Sequence, residues 1–218
     1  MVFSELEHHE LAEAAESVGI SQTHFVFRFL KNWFLEWLAG FCPVPSWRAS
    51  LHRLRGVQIG NNAYIGYGVI IDRVYPDKVS IEDFAVVADR CIITAHGCGS
   101  IPLQHLYPRQ VKPVRIGRGA WLSPACIVIM GVEIGEEAVI GTGAVVTRSI
   151  PPRSVAVGVP ARVIRTLDIN LPASTSSGMP PGTPSPDTSE SSQAGRSRGT
   201  GMFVPMPLYP LVFEELFP

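Results

Sequence analysis

A period of six residues runs through the middle of the chain. Starting at Ile59, aliphatic residues recur at intervals of six with two interruptions, and in most units a small residue follows four places later. The units read IGNNAY, IGYGVI, IDRVYP, IEDFAV, VADRCI, ITAHGC, IGRGAW, LSPACI, VIMGVE, IGEEAV, IGTGAV and VTRSIP. Such a short, sustained period is typical of a β-helix, in which each unit contributes one strand and one corner. The repeat therefore predicts an all-β core.

The aliphatic leaders of these units also predict a register. If three units make one triangular coil, every third leader stacks on the same face. The first face then holds Ile59, Ile81, Ile116 and Ile134, the second Ile65, Val87, Leu122 and Ile140, and the third Ile71, Ile93, Val128 and Val146. This register requires residues 77–80 and 99–115 to leave the repeat as loops, and the second loop is long enough to be functional.

The region before the repeat, residues 1–56, is predicted to be helical. Arg28, Lys31 and Glu36 interrupt its apolar run, whereas a membrane-spanning helix needs about 20 predominantly apolar residues. The pattern favours an amphipathic helix that either caps the repeat or lies on a membrane surface through residues 25–45. Pro43 and Pro45 are expected to end this helix.

The predicted organisation is a helical segment (1–56), a repeat domain (57–168) and a tail (169–218). Residues 169–200 are rich in Ser, Pro, Gly and Thr, and they are predicted to be disordered. The final stretch GMFVPMPLYPLVFEELFP is apolar but contains four prolines. It is either a docking motif or an extension without function.

Composition narrows the function classes. A net charge of -1 gives no general electrostatic reason to expect a nucleic-acid partner. The spacing of the four cysteines fits free thiols in a reducing compartment better than a disulfide framework. The acidic opening MVFSELEHHELAEAAE does not resemble an export signal. We therefore expect a cytoplasmic protein, with peripheral membrane contact as the variant that residues 25–45 suggest.

The closing run IGEEAVIGTGAVVTRSIPPRSVAVGVPARVIR resembles the signature of the maltose, galactoside and polysaccharide O-acetyltransferases. The resemblance covers about residues 51–167. It implies a left-handed parallel β-helix that assembles as a homotrimer and binds acetyl-coenzyme A between neighbouring subunits. It further implies transfer of an acetyl group to a hydroxyl of a saccharide, with no metal.

A catalytic residue follows from the same resemblance. The resembling enzymes place their catalytic histidine at the start of the extruded loop, where the motif CIITAHG puts His96. The repeat adds an independent point, because Asp72 and Thr94 follow leaders one coil apart on the third face. Asp72 should therefore lie near His96, where it binds the acceptor, influences the imidazole or is simply a solvated corner residue.

For the coenzyme, the resemblance implies contacts from exposed corners and from the closing segment. The candidate residues are Trp121, Ser123, Thr142, Thr147, Arg148, Arg162 and Arg165. Arginine suits phosphate oxygens because its planar guanidinium presents several donors. Departures from the family pattern at Tyr67-Gly68 and Gly97 leave the acceptor open, and Pro124 weakens one expected contact with the coenzyme.

Two other function classes compete with this reading. Some hexapeptide-repeat proteins resemble zinc carbonic anhydrases, but that site needs three histidines, and the repeat offers His96 and His105 with His52 just before it. A β-helix without catalytic activity that serves as an assembly scaffold, with the apolar C-terminal stretch for docking, is the other alternative.

Overall fold

Three helices precede the repeat. The computed structural model describes residues 5–167, so the predictions made for residues 169–218 lie outside this range. The helices are α1 (Glu5–Val18), α2 (Gln22–Phe41) and α3 (Pro45–Arg55). The end of α2 just before Pro43 agrees with the sequence prediction. None of the described helices is both long enough and apolar enough to cross a membrane.

Short strands, numbered in chain order and parallel except for β16, form three faces. The first face contains β1 (Gln58–Ile59), β4 (Val79–Ile81), β9 (Val114–Ile116) and β12 (Glu133–Ile134). The second contains β2 (Tyr64–Ile65), β5 (Val86–Val87), β10 (Trp121–Leu122), β13 (Val139–Ile140), β15 (Ser154–Val157) and β16 (Arg162–Thr166). The third contains β3 (Ile70–Ile71), β6 (Ile92–Ile93), β11 (Ile127–Val128) and β14 (Val145–Val146).

The strand register confirms all three predicted ladders of leaders. Ile59 pairs with Ile81, Ile65 with Val87, and Ile71 with Ile93, and the later coils continue each ladder in parallel. Every leader after Ile59 is at most 1% exposed. The leaders therefore make up the core, because each fully buried aliphatic side chain stabilises the fold by about 1.5–3 kcal/mol.

The loops begin and end differently from the prediction. The period predicts a loop over residues 77–80, but Val79 and Ser80 belong to β4 and extend the first face. The long loop also has a closed base, because β7 (His96–Gly97) pairs antiparallel with β8 (Gln110–Val111). Pairing extends past the six-residue unit because backbone amides and carbonyls that leave water need partners.

Close packing between coils explains the glycines that follow leaders. A Cβ placed on Gly66 would lie 2.5 Å from the backbone nitrogen of Asp89 in the next coil. The carboxylate of Asp89 instead accepts a hydrogen bond from the backbone N–H of Tyr67 at 2.7 Å. This corner needs glycine because neighbouring backbones approach too closely for a side chain.

Helix α3 covers the open edge of the first coil. In later coils each leader carbonyl accepts a hydrogen bond from the preceding coil, as when Gly66 N donates to Val87 O at 2.8 Å. The first coil has no preceding coil, and its leader carbonyls accept from arginines of α3. These bonds run from Arg53 Nε to Ile59 O (2.9 Å), from Arg48 Nε to Ile65 O (2.7 Å) and from Arg55 Nη2 to Ile71 O (2.6 Å). The N-terminal helices therefore cap the repeat, as the first of the two alternatives predicts.

Helix α2 turns a mixed side inward, where the polar Asn32 and Glu36 are buried together with Phe25 and Ala39. Glu36 is buried and pairs with Arg55 at 3.1 Å and with Arg73 at 3.0 Å, and Asn32 donates to Arg73 O at 3.0 Å. The apolar stripe of the helix faces outward. This orientation is the reverse of the usual amphipathic packing, and the buried guanidinium of Arg55 explains it, since a buried charge needs a partner.

The closing segment lies on the last coil. Strand β15 continues the second face by pairing in parallel with β13. Strand β16 folds back antiparallel on β15 as the outermost strand of this face, and all five of its residues are exposed. The segment from Ile150 to Arg165 therefore covers the end of the repeat where a cap is predicted.

Candidate active site

His96 stands where the long loop leaves the third face. Strand β6 ends at Ile93, and His96 opens β7 only three residues later. The base of the loop is fixed on both sides, since His96 pairs with Val111 and Lys112 N donates to Ala95 O at 2.9 Å. Its side chain is 26% exposed, so one edge of the imidazole is accessible.

Asp72 lies directly against this histidine, one coil below. The Nδ1 of His96 is 2.6 Å from Oδ2 of Asp72, which also accepts from Ala95 N at 2.7 Å. The other oxygen, Oδ1, accepts from the backbone N–H groups of Val74 and Tyr75, both at 2.9 Å. The predicted proximity of Asp72 and His96 is confirmed, and both carboxylate oxygens are engaged.

The contacts of Asp72 favour one of its predicted roles, the orientation of His96. Its side chain has no exposed surface, so the carboxylate faces the imidazole and the backbone, not solvent. A direct contact with the acceptor remains a prediction. Orientation of His96 is the role that the hydrogen bonds favour, because a carboxylate that binds one ring nitrogen fixes the tautomer and the angle of the ring.

The electrostatic environment keeps Asp72 ionised. Burial opposes the charge, but hydrogen bonds from His96 and from the backbone N–H groups of Tyr75 and Ala95 outweigh it, and the pKa of this carboxyl lies below its ordinary value. Asp72 is therefore an acceptor at neutral pH, so the hydrogen on Nδ1 of His96 points towards it. In the neutral imidazole, Nε2 is then the nitrogen able to accept a proton.

Tyr75 supports the imidazole from a second direction. Its ring lies 5.1 Å from the ring of His96, centroid to centroid, at an interplanar angle of 60°. The tyrosine is 3% exposed, and its hydroxyl is hydrogen-bonded to Ser17 Oγ of α1. Helix α1 is thereby connected to the histidine through one aromatic side chain.

The residues predicted to bind coenzyme A are distributed over one face and two corners. Thr147 and Arg148 follow the third-face leader Val146, so they share the corner of His96. The remaining candidates lie on the second face or at the corner after it: Trp121, Ser123, Thr142, Arg162 and Arg165. Of the whole set, Ser123 alone is buried, at 8% exposure, whereas Trp121 is 48% exposed.

Comparison with known proteins gives this geometry a context. No protein-family model matches the chain. The chain is 34% identical over 116 residues to the galactoside O-acetyltransferase of Escherichia coli (strain K12), an alignment that covers 51% of this chain and 55% of the relative. The chain thus spans about half the length of this curated relative.

Two solved structures share the fold. A hexapeptide-repeat acetyltransferase from Vibrio cholerae O1 biovar eltor, solved with acetyl-coenzyme A, superposes with a TM-score of 0.57 at 18% identity, over 66% of this chain and 90% of the other. A galactoside acetyltransferase in complex with coenzyme A gives a TM-score of 0.51 at 24% identity, over 66% and 82%. The chain is therefore similar in sequence to a galactoside O-acetyltransferase, and it shares the fold of these hexapeptide-repeat acetyltransferases.

The sequence predicted the positions of His96 and Asp72 but not the residues that hold them. Tyr75 follows Asp72 by three positions, and no charge or motif marks it. Arg55 donates to Asp72 O at 3.0 Å from the preceding helix, and only the fold reveals that contact. Within the described residues, no group of three or more His, Cys, Asp or Glu side chains could hold a metal ion.

Proposed function

We propose that this protein transfers an acetyl group from acetyl-coenzyme A to a hydroxyl of a saccharide acceptor. The observation that carries the proposal is the 2.6 Å contact between Asp72 Oδ2 and His96 Nδ1 at the mouth of the long loop. A buried carboxylate that orients a partly exposed imidazole is an arrangement well suited to general-base catalysis. The similarity to acetyltransferases supports the acetyl donor, and the match to a galactoside O-acetyltransferase supports the saccharide.

The tautomer of His96, with its hydrogen on Nδ1, leaves Nε2 as the base in the proposed reaction. Nε2 accepts the proton of the acceptor hydroxyl as its oxygen attacks the thioester carbonyl, and Asp72 stabilises the imidazolium that forms. A backbone amide stabilises the oxyanion. Collapse of the tetrahedral intermediate breaks the C–S bond, and the thiolate of coenzyme A takes the proton back from Nε2. The transfer is direct and leaves the enzyme unchanged, so no acyl-enzyme is required.

The donor site in this proposal combines the exposed residues of the second face with the corner of His96. Exposed Arg162 and Arg165 on β16 suit the phosphates, while Thr142 and Thr147 suit the pantetheine chain. Trp121 offers an exposed ring on the second face. Ser123 is a weaker candidate for a side-chain contact because it is largely buried.

A trimer would explain why these residues are not gathered in one chain. We propose a left-handed β-helix that assembles as a homotrimer, with each donor groove formed between two subunits. The second face of one subunit and the His96 corner of its neighbour would then line the same groove. Light scattering checks this assembly, with three times the chain mass of 23.7 kDa as the expected result.

The decisive experiment is an acceptor screen by mass spectrometry with acetyl-coenzyme A and pooled saccharides, followed by rates for wild type and His96→Ala. Removing the general base should lower kcat about 10²- to 10⁴-fold. His105→Ala is the matched control, since this loop histidine has no role in the proposal. Equal rates for wild type and His96→Ala would refute the assignment, and failure to bind coenzyme A would favour the scaffold alternative.

A further inference from the structure

The outward side of α2 carries a continuous apolar stripe, which we call the α2 aromatic face. It consists of side chains that are 39–73% exposed and that recur at helical spacing: Phe27, Leu30, Phe34, Trp37, Leu38 and Phe41. The rings of Phe34 and Trp37 stack at 6.1 Å, and those of Trp37 and Phe41 contact each other at 5.6 Å. An exposed apolar patch of this size marks an interaction site.

The packing of the N-terminal helices leaves this face open. Helix α2 uses Glu36 and Asn32 to contact the repeat, so its polar side is already occupied. Helix α1 packs on Phe25 with Phe29 nearby, on the other side of α2. The α2 aromatic face is therefore not a by-product of folding, since the helix attaches to the domain without it.

The charges around the face favour an anionic partner. Glu36 is the one acidic residue in the sequences of α2 and α3, and its carboxylate is buried between Arg55 and Arg73. The exposed charged residues of these two helices are cations: Lys31 of α2 and Arg53 of α3. Lys31 donates to Leu54 O at 3.3 Å, which places the exposed Leu54 beside the cationic edge of the stripe.

The aromatic residues favour a lipid surface in particular. Of the four tryptophans in the chain, Trp33, Trp37 and Trp47 lie on α2 and α3 and are 48–65% exposed. Tryptophan combines an apolar ring with a polar N–H and is enriched at the boundary between lipid tails and headgroups. A helix with Trp, Phe and Leu on one side and cations at its edge is the pattern of an interfacial membrane helix.

We propose that the α2 aromatic face docks this protein onto an anionic lipid bilayer. The rings enter the headgroup boundary, and Lys31 contacts the lipid phosphates. The proposal is independent of the acetyl-transfer reaction. Helix α2 nevertheless contacts the segment that follows Asp72, the partner of His96. Arg28 of α2 donates to Val74 O, and Asn32 donates to Arg73 O.

The test uses the full chain and vesicles of phosphatidylcholine with or without phosphatidylglycerol. We expect flotation with the anionic vesicles, and quenching of tryptophan emission by brominated acyl chains. Phe34→Ser combined with Trp37→Ser should weaken binding at least about tenfold, because two large rings no longer leave water. High salt should weaken it severalfold by screening the cations.

The matched control is Phe84→Ser, which removes a 58% exposed ring from the repeat and should leave vesicle binding unchanged. Circular dichroism checks that every variant is folded. The proposal is overturned if the wild-type chain binds neither vesicle, or if the double variant binds as well as the wild type. If the wild type binds no vesicle and the double variant forms a smaller oligomer than the wild type, the α2 aromatic face is an interface between copies of this chain.

Discussion

The Nε–H of Arg48 donates a hydrogen bond to the backbone oxygen of Ile65 at 2.7 Å. In later coils the strand of the preceding coil supplies this bond. The arginine is 1% exposed and donates also to Cys42 O at 2.9 Å, and its guanidinium lies 4.1 Å from the centroid of the Tyr67 ring. A single side chain thus joins the helical cap to the first coil.

Replacing this arginine should destabilise the whole repeat. Arg48→Met retains the apolar stem but leaves buried carbonyls without donors, and we expect a loss of about 2–4 kcal/mol in the free energy of unfolding. Urea unfolding followed by circular dichroism measures it. Arg118→Ala removes a 55% exposed arginine from a surface pair and should change stability by less than about 1 kcal/mol. Similar losses in both variants would contradict the capping role.

Replacing Asp72 should separate orientation of His96 from substrate binding. In Asp72→Asn the side chain no longer fixes the imidazole tautomer, so kcat should fall about 10²- to 10⁴-fold while KM for acetyl-coenzyme A changes little. Steady-state kinetics with the acceptor found in the screen provides both constants. Asp89→Asn is the control, since Asp89 also accepts a backbone N–H at a coil corner but lies apart from His96. A change confined to the KM of the acceptor would instead support direct contact.

The pH dependence of stability should contain a contribution from His52. Burial, together with the neighbouring charges of Arg55 and Arg48, lowers the pKa of His52 to about 3 from an ordinary value of 6.5. As the pH falls below 6.5, His52 becomes protonated in the unfolded chain but stays neutral in the folded chain. The contribution of His52 to stability is therefore fully present above pH 6.5 and is lost as the pH decreases towards 3. Between pH 7 and 5 the loss due to His52 should be about 2 kcal/mol.

His52→Asn tests that contribution because it keeps an acceptor near Arg55 Nη1, which lies 2.9 Å from His52 Nδ1. Urea unfolding at pH 7 and at pH 5 should show a smaller difference for the variant than for the wild type. The chosen range stays above the ordinary pKa of Asp72, whose lowered pKa adds its own loss of stability only in more acid solution. An identical pH difference in both proteins would refute the prediction.

A methyl group at Gly66 should disrupt the stacking of coils. Gly66→Ala places Cβ 2.5 Å from Asp89 N, so one coil must shift, and we expect a loss of about 2 kcal/mol or more. Thermal unfolding measures the change. Gly40→Ala is the matched control, because a Cβ there meets nothing within 4 Å and the site is helical. It should stabilise the protein by up to about 1 kcal/mol, and equal effects of the two substitutions would contradict close packing as the cause.

The sequence predicted the repeat register because the period is strict and each leader must be buried. One consequence, the position of Asp72 beside His96, followed from that register alone. The loop ends were predicted less well, since backbone pairing at Val79 and Ser80 does not depend on the six-residue pattern. Strand pairing there follows from backbone geometry that side-chain periodicity does not record.

The sequence predicted a cap but not the residues of α3 and α2 that form its contacts. Arg48, Arg53 and Arg55 in a short helix resemble solvent-exposed arginines, and only the geometry of the first coil gives each a carbonyl. The same holds for Glu36, whose burial depends on Arg55. Once that ion pair is buried, the apolar side of α2 must face outward, which a helical pattern alone would not indicate.

The capping helix has a consequence for synthesis of the protein on the ribosome. Helix α3 immediately precedes the first coil in the chain, so cap and coil emerge from the ribosome together. The carbonyls of Ile59, Ile65 and Ile71 can be occupied before the next coil is translated. At every later stage the nascent repeat then has one free strand edge instead of two, and that edge is the one onto which the next coil is added.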